Sequence, residues 1–239
     1  MHNSVIEEAL PEFPGTTLNP TIFKDEMDSA RQHVLTLIRR HMAEFGEKFP
    51  AETCVEGFYP LTDNVEWTTS FWTGQQWLAW EMSGEDAFRE LAEKHVRSFG
   101  LRIAGRQDTN THDLGFLYTL SCVAAWRLTE SRDARSFALQ AAEALLERFH
   151  RKAQIIQAWG DLNDPAQAGR MIIDCTMNLP LLYWASEQTG DPRFAEAAKA
   201  HVRQSATYLV REDASTWHTY YMDVQTGLPR FGNTQQGYA

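Results

Sequence analysis

Two aspartates, Asp113 and Asp174, are the groups of this sequence best placed to transfer protons. Each begins an apolar segment with helical periodicity, Asp113 within His-Asp-Leu-Gly-Phe and Asp174 within Met-Ile-Ile-Asp-Cys. An aspartate at such a position often serves only as a helix N-cap, and that reading stays open for either residue taken alone. Three apolar residues precede Asp174, so burial would raise the pKa of its carboxyl. A carboxyl of this kind could donate a proton and take it back near neutral pH.

Two histidines add further titratable groups. His112 stands next to Asp113, and His218 lies in a Trp-His-Thr-Tyr segment. A single histidine is more often structural than catalytic, so neither carries a functional assignment without further support. The sequence has no P-loop, no GxGxxG, no HExxH and no GxSxG motif. We therefore expect chemistry without a cofactor and without a metal ion.

The composition of the chain excludes several partners and locations. It has 239 residues with a net charge of −10, which makes nucleic acid and anionic membranes poor partners. The three cysteines, Cys54, Cys122 and Cys175, have no CxxC spacing, so a reducing compartment fits best. The N-terminal segment has no basic start or apolar run, and no other segment is apolar enough to span a membrane. These features predict a soluble, cytoplasmic protein.

Helical periodicity dominates the chain after an extended arm over residues 1–22. Residues 23–239 are predicted to form one domain, which ends in a short hairpin and loop over 216–239. The fifth helix has the clearest apolar stripe, from Ala134 to Phe149. Seven helices are predicted, at about 25–46, 70–82, 85–105, 112–129, 134–149, 174–189 and 192–209.

The boundaries between helices repeat one pattern. In segments 81–88, 128–135 and 187–194 an apolar helix ends, a small residue follows, and an aspartate opens an amphipathic helix. The intervals from Gly84 to Ser131 and from Ser131 to Gly190 are 47 and 59 residues. This pattern predicts helical hairpins arranged as a toroid, with the more apolar helices inside. A stack of tetratricopeptide-like repeats is the alternative, and the unequal spacing argues against it.

Five separated motifs resemble the unsaturated glucuronyl hydrolases of glycoside hydrolase family 88, in the family's order and at about its spacings. The resemblance implies an all-α fold, an (α/α)6 barrel or six-hairpin toroid, here incomplete with about seven helices. It also implies a glycosidase of polysaccharide degradation that removes the 4,5-unsaturated uronic acid from the non-reducing end of lyase-generated, glycosaminoglycan-type oligosaccharides. The motifs are residues 67–74, 112–116, 170–179, 215–220 and 232–239.

The resemblance also assigns roles to single residues. Asp174 would be the general acid and base, and Asp113 the second catalytic carboxylate, which holds sugar hydroxyls. The enzyme would hydrate the C4=C5 enol ether, so the rule that relates carboxylate separation to stereochemistry does not apply. The remaining residues would bind or enclose the substrate: His112, His218, Gln236, Trp67, Phe71 and Trp159.

Two departures from the family pattern bear on these expectations. Gln235 stands where members commonly have histidine. The chain also ends at Ala239, inside a motif that the family continues into a further inner helix. A truncated barrel would expose apolar inner surface and favour a homo-oligomer. The alternatives are an unsaturated rhamnogalacturonyl hydrolase and a catalytically inactive helical-repeat fragment that binds sugar.

Overall fold

A computed structural model describes residues 23–234 and confirms the seven predicted helices within that range. The predicted arm over 1–22 and the predicted substrate-binding residue Gln236 lie outside the described residues. The helices are α1 Lys24–Phe45, α2 Thr69–Ser83, α3 Asp86–Ala104, α4, α5 Arg132–Leu146, α6 Leu179–Thr189 and α7 Pro192–Tyr208. Helix α4 joins Leu114–Tyr118 to Ala124–Thr129 through the π-helical turn Thr119–Val123.

The helices form two layers. Helix α4 packs between α2 and α6 in an inner layer, while α3, α5 and α7 form the outer layer and α1 packs on α2. On α5 the predicted apolar stripe packs inward, and Ala134, Ala138 and Leu145 are fully buried. The prediction that the more apolar helix of each hairpin lies inside is confirmed for these elements.

Each inner helix ends in a short turn that leads to the outer layer. The C-cap residues Gly84, Glu130 and Gly190 all adopt the left-handed conformation, with φ values of 73°, 56° and 74°. Their backbone N–H groups donate to carbonyls of the last helical turn, and these carbonyls thereby gain a hydrogen-bond partner. Two of the three positions are glycine, which adopts positive φ at no steric cost. The repeated boundary pattern in the sequence is thus the pattern of these turns.

Longer loops occupy the opposite end, where the inner helices begin. Three small antiparallel sheets lie there, and only the last hairpin was predicted. The pairs are β1 Phe49–Pro50 with β2 Leu61–Thr62, and β3 Phe149–His150 with β4 Ile155–Ile156. The third sheet has the order β5 Arg170–Ile172, β6 Thr219–Met222, β7 Pro229–Asn233. Its register pairs Ile172 with Thr219, which brings the segment of Asp174 beside His218.

The chain between β5 and α6 departs from the predicted sixth helix. Residues Ile173–Asn178 form a 3-10 helix, and the α-helix starts only at Leu179. Pro180 stands in the first turn of α6, where the missing N–H of proline costs nothing. Among residues 23–234, no helix is both long enough and apolar enough to cross a bilayer.

Candidate active site

The loops at the start of the inner helices enclose a cleft of about 740 Å³. One wall is aromatic, and the floor carries carboxylates and a histidine. Six of the predicted site residues line this cleft, which brings together side chains more than a hundred positions apart in the sequence. They are Trp67, Phe71, Asp113, Trp159, Asp174 and His218.

Asp113 immediately precedes α4 but does not cap it. No side-chain hydrogen bond reaches the backbone of the first helical turn. Instead, its Oδ2 accepts a hydrogen bond from the Thr111 hydroxyl at 2.8 Å, and its own N–H donates to the same hydroxyl oxygen at 3.1 Å. The other oxygen, Oδ1, lies 3.3 Å from Nε2 of His112. Asp113 therefore stands at the N-cap position of α4 without capping the helix through its side chain, and its carboxyl lines the cleft.

Asp174 lies in the first turn of the 3-10 helix, and its Oδ1 is 3.5 Å from Nε2 of His112. This oxygen is buried and has no hydrogen-bond partner among the described residues. Burial raises the pKa of the Asp174 carboxyl, and the charge of Asp113 adds to the rise, whereas His112 and His218 oppose it. The side chain is still 35% exposed, so a substrate atom in the cleft can reach it.

His112 joins the two carboxylates from below the cleft. Its side chain is 1% exposed, and Nε2 faces Asp113 and Asp174. Neither ring nitrogen has a hydrogen-bond partner among the described residues. A buried imidazole so placed can carry a proton between carboxylates or pair with their charge. His218 approaches Asp174 from the other side, because its carbonyl accepts a hydrogen bond from the N–H of Ile173 at 3.0 Å.

The same cluster contains the ligand types that a divalent ion accepts. His112, Asp113 and Asp174 each offer one ligand atom, and these atoms lie within 4.8 Å of one another. Among residues 23–234, these three side chains form the group whose ligand atoms lie close enough together to hold a metal ion. One imidazole beside two carboxylates is also an arrangement suited to acid–base chemistry.

Buried arginines hold the loops that carry the aromatic wall. Arg102, only 2% exposed, donates to the carbonyl of Glu66 at 2.8 Å and to Asp108 Oδ2 at 3.0 Å, next to Trp67. Arg148 is equally buried and donates to the carbonyls on either side of Trp159, those of Gln157 and Gly160. Burial lowers the pKa of Arg148 to about 10.

Arg170 supports Trp159 from a third direction. Its guanidinium carbon lies 4.5 Å from the centre of the Trp159 ring, and its Nε donates to the Tyr221 hydroxyl. The orientation of this tryptophan therefore depends on β5 and β6, the strands that also flank Asp174. Planar stacking of arginine on an aromatic face restricts the rotamer of the ring.

Sequence reasoning missed several residues of the cleft and its supports. The periodicity of α3 places Arg102 three positions after Phe99 on the buried face, a signal that a charged side chain is buried there. Most of the other missed residues lie in loops without periodicity, so no sequence signal identifies them, whereas Phe116 lies in α4 and Met177 in the 3-10 helix. The missed lining residues include Glu66, Asp108, Asn110, Thr111, Phe116 and Met177.

Known proteins with similar sequences share one activity. An unsaturated chondroitin disaccharide hydrolase of Streptococcus pneumoniae is 43% identical over 92% of this chain and 55% of its own length. The unsaturated glucuronyl hydrolase of Bacillus sp. strain GL1 is 44% identical over 85% of this chain and 54% of its own. No family model matches the chain. The chain spans about half the length of the curated relatives it matches.

Solved structures show the same relationship. The unsaturated glucuronyl hydrolase of Streptococcus agalactiae superposes with a TM-score of 0.87 at 38% identity, over 98% of this chain and 60% of that one. The Bacillus enzyme superposes at 0.83. These neighbours have the (α/α)6 barrel fold, so the predicted fold class is confirmed. By sequence and by fold, this chain belongs to the unsaturated glucuronyl hydrolases of glycoside hydrolase family 88.

Proposed function

We propose that the chain carries the acid–base site of an unsaturated glucuronyl hydrolase. The substrate class is the 4,5-unsaturated uronic acid at the non-reducing end of glycosaminoglycan-type oligosaccharides produced by polysaccharide lyases. The observation that supports this most is the convergence of Asp113, Asp174, His112 and His218 in one aromatic-walled cleft. A variant of the Streptococcus agalactiae enzyme was solved with dGlcA-GalNAc6S bound, which supports the substrate class.

In the first step, protonated Asp174 donates its proton to C4 of the C4=C5 double bond. The positive charge that develops at C5 is shared with the ring oxygen. A carboxyl whose pKa is raised by burial is suited to this step, because more of it stays protonated near neutral pH. Asp113, held by Thr111, stays in place to bind sugar hydroxyls and to offset the developing charge.

In the second step, water attacks C5 while the Asp174 carboxylate takes one proton from it. The enzyme is then back in its starting form, and the product is a hemiketal that opens without further catalysis and releases the remaining sugar. His112 contacts both carboxylates and stabilises their changing charge. His218 lines the reacting end of the cleft, and Gln236, outside the described residues, is proposed to contact the same sugar.

The aromatic wall would hold the sugar rings. Trp67 is 46% exposed, an unusual degree for tryptophan, and its ring lies 6.3 Å from that of Phe116. Trp159 on the other side is fixed by Arg148 and Arg170. Exposed aromatic faces of this kind pack against the apolar C–H faces of sugars while the hydroxyls remain solvated.

The described part of the cleft lining contains no lysine or arginine. The substrate carries a carboxylate, and the chain spans about half the length of its curated relatives. The lining residues that the structure describes therefore supply no guanidinium or ammonium group for this carboxylate. The relatives favour chondroitin-type substrates over the rhamnogalacturonyl alternative. An inactive, sugar-binding fragment stays the alternative, and it is the outcome expected only if turnover requires such a cation.

The deciding experiment follows the ultraviolet absorbance of the conjugated C4=C5 bond. The purified chain is mixed with an unsaturated chondroitin disaccharide or with a pectin-derived unsaturated rhamnogalacturonyl disaccharide. We expect absorbance to fall with the chondroitin substrate, and not with Asp174→Asn. Asp133→Asn, which changes an exposed aspartate on α5, serves as the matched control. A folded chain that binds the disaccharide without any loss of absorbance would refute the proposed activity.

Two further expectations stay predictions. A cytoplasmic location is consistent with the three free cysteines, two of which are buried. A homo-oligomer is consistent with the apolar side chains of α1 and α2 that stay partly exposed on one face of the molecule. They are Val34, Leu37, Leu78 and Met82.

A further inference from the structure

We propose that Gly115 and Asn178 form a positioning pair that sets the distance between the two carboxylates of the site. The inference rests on the proposed function, because it concerns how Asp113 and Asp174 are held for proton transfer. Gly115 lies two residues after Asp113, at the start of α4. Asn178 lies four residues after Asp174, at the end of the 3-10 helix. Their contact thus joins the two segments that carry the carboxylates.

The approach of the two backbones requires glycine at position 115. A Cβ atom built on Gly115 would lie 2.2 Å from both the Cα and the carbonyl oxygen of Asn178. Backbone atoms cannot rotate away from such a contact, whereas the end of a flexible side chain can. Any residue other than glycine would therefore push α4 and the 3-10 helix apart.

Asn178 adds a hydrogen bond to this contact. Its side chain is buried, and its Oδ1 accepts from the backbone N–H of Phe116 at 3.1 Å. The first N–H groups of a helix have no partner within the helix, so a side chain, water or a ligand satisfies them. Asn178 provides this bond to α4 in place of Asp113, whose carboxyl stays free to face the cleft. The side chain of Asn178, in the segment that carries Asp174, therefore anchors α4, the helix that follows Asp113.

The two carboxylates of the site lie close to one buried histidine, His112. Nε2 of this buried ring lies 3.3 Å from Asp113 and 3.5 Å from Asp174. A displacement of about 1 Å at a reacting centre can cost about a hundredfold in rate. Separation of α4 from the 3-10 helix would also admit water between the carboxylates and weaken the influence of each charge on the other.

Two variants test the pair by different routes. Gly115→Ala forces the backbones apart, and Asn178→Leu keeps the branching at Cγ but removes the acceptor for the N–H of Phe116. Gly100→Ala is the matched control, because Gly100 is also a helical glycine in close contact. A Cβ there would lie 2.4 Å from the ring of Phe137, between α3 and α5 and away from the cleft. The control therefore disturbs packing without moving either carboxylate.

The measurements are kcat and KM with the chondroitin disaccharide, and the titration of the Asp174 carboxyl carbon by NMR. We expect both variants to lower kcat by about 10- to 100-fold, while KM changes by less than about threefold. Because burial is the main cause of the raised Asp174 pKa, we expect its titration midpoint to fall in both variants. The charged groups that face Asp174 are Asp113, His112 and His218, and all three are unchanged.

A purely structural role predicts a different result. If both variants lower only the melting temperature, and leave kcat per folded molecule and the titration midpoint as in Gly100→Ala, the proposal is wrong. If Gly115→Ala does not fold, Asn178→Leu decides the question. If the unmutated chain shows no turnover, the proposed function fails, but the Asp174 midpoint still tests the positioning pair.

Discussion

The two ends of the inner helices have opposite characters. At one end, short turns through Gly84, Glu130 and Gly190 close each helix with backbone hydrogen bonds. At the other end, the cleft region contains buried polar atoms without hydrogen-bond partners among the described residues, such as Nε2 of His112 and Oδ1 of Asp174. Buried polar groups without partners cost stability and are rare in folded proteins. The difference indicates that the turn end serves folding and the loop end serves binding and chemistry.

The buried histidines also differ between the helical layers and the cleft. His95 and His201 have ring nitrogens bonded to Thr73 and to the N–H of Ile156, and burial lowers their pKa values to about 4 and about 3. They are neutral packing residues within the helical layers. His112 is just as buried but faces two carboxylates at the cleft. Burial alone therefore does not distinguish the functional histidine, whereas its charged neighbours do.

The largest difference between the effect on activity and the effect on stability is expected from Asp174→Asn. Activity should fall by about 10²- to 10⁴-fold, because the acid and base is lost. Stability at pH 7 should be equal or slightly higher. The pKa of this carboxyl is raised in the folded state, so its stabilising contribution is present at low pH and is lost as pH rises through that pKa.

Thermal unfolding of parent and variant at several pH values checks this second expectation. The difference in melting temperature should be largest at neutral pH and should shrink on acidification, as Asp174 becomes protonated in the folded parent. A variant that is less stable than the parent at pH 7 would mean that the ionised carboxylate stabilises the fold. The loop end would then also stabilise the fold at this position.

Arg102→Met tests whether the loop end also contains structural residues. The substitution leaves acceptors on Asn64, Glu66 and Asp108 without their buried donor, at a cost of about 3 kcal/mol. We expect a lower urea midpoint together with a higher KM, because the loop that carries Trp67 loses its anchor. An unchanged urea midpoint would show that water replaces the guanidinium at no cost.

Ser131→Ala should affect the turn end alone. The Ser131 hydroxyl oxygen accepts a hydrogen bond from the N–H of Ala134 at 3.3 Å and caps α5. Loss of such a cap costs about 1 kcal/mol, or about 2–4 °C in melting temperature for a chain of this size. Turnover per folded molecule should stay at the parent value. A fall in kcat would contradict the division between the two ends.

The smallest effect is expected from Glu85→Gln, also at the turn end. Glu85 accepts a hydrogen bond from Nε of Arg39 at 3.0 Å, but both side chains are exposed. Exposed ion pairs contribute little, because solvent and salt screen them. We expect no measurable change in melting temperature or in activity. A clear loss of stability at low salt that disappears at high salt would show a stronger surface interaction than expected.

Most of the helical framework could be predicted from the sequence. The periodic apolar stripe of α5 and the small residues of the turns are local patterns, and local patterns determine helices and their ends. Strands β1 to β5 were missed because each has only two or three residues, and β5 in addition pairs with the distant strand β6. The 3-10 helix at Asp174 was read as ordinary helix, since its apolar residues fit either form.

For the site, the sequence by itself identified the candidate groups: two aspartates and two histidines within motifs of one family, with no cofactor motif beside them. Only the tertiary structure decided that these groups meet. Asp113 and Asp174 approach His112 because Gly115 packs on Asn178 and because β5 pairs with β6. The physical reason is that proton transfer depends on distances of a few ångströms and on burial. Both arise from contacts between segments that are remote in the chain, and no local pattern encodes them.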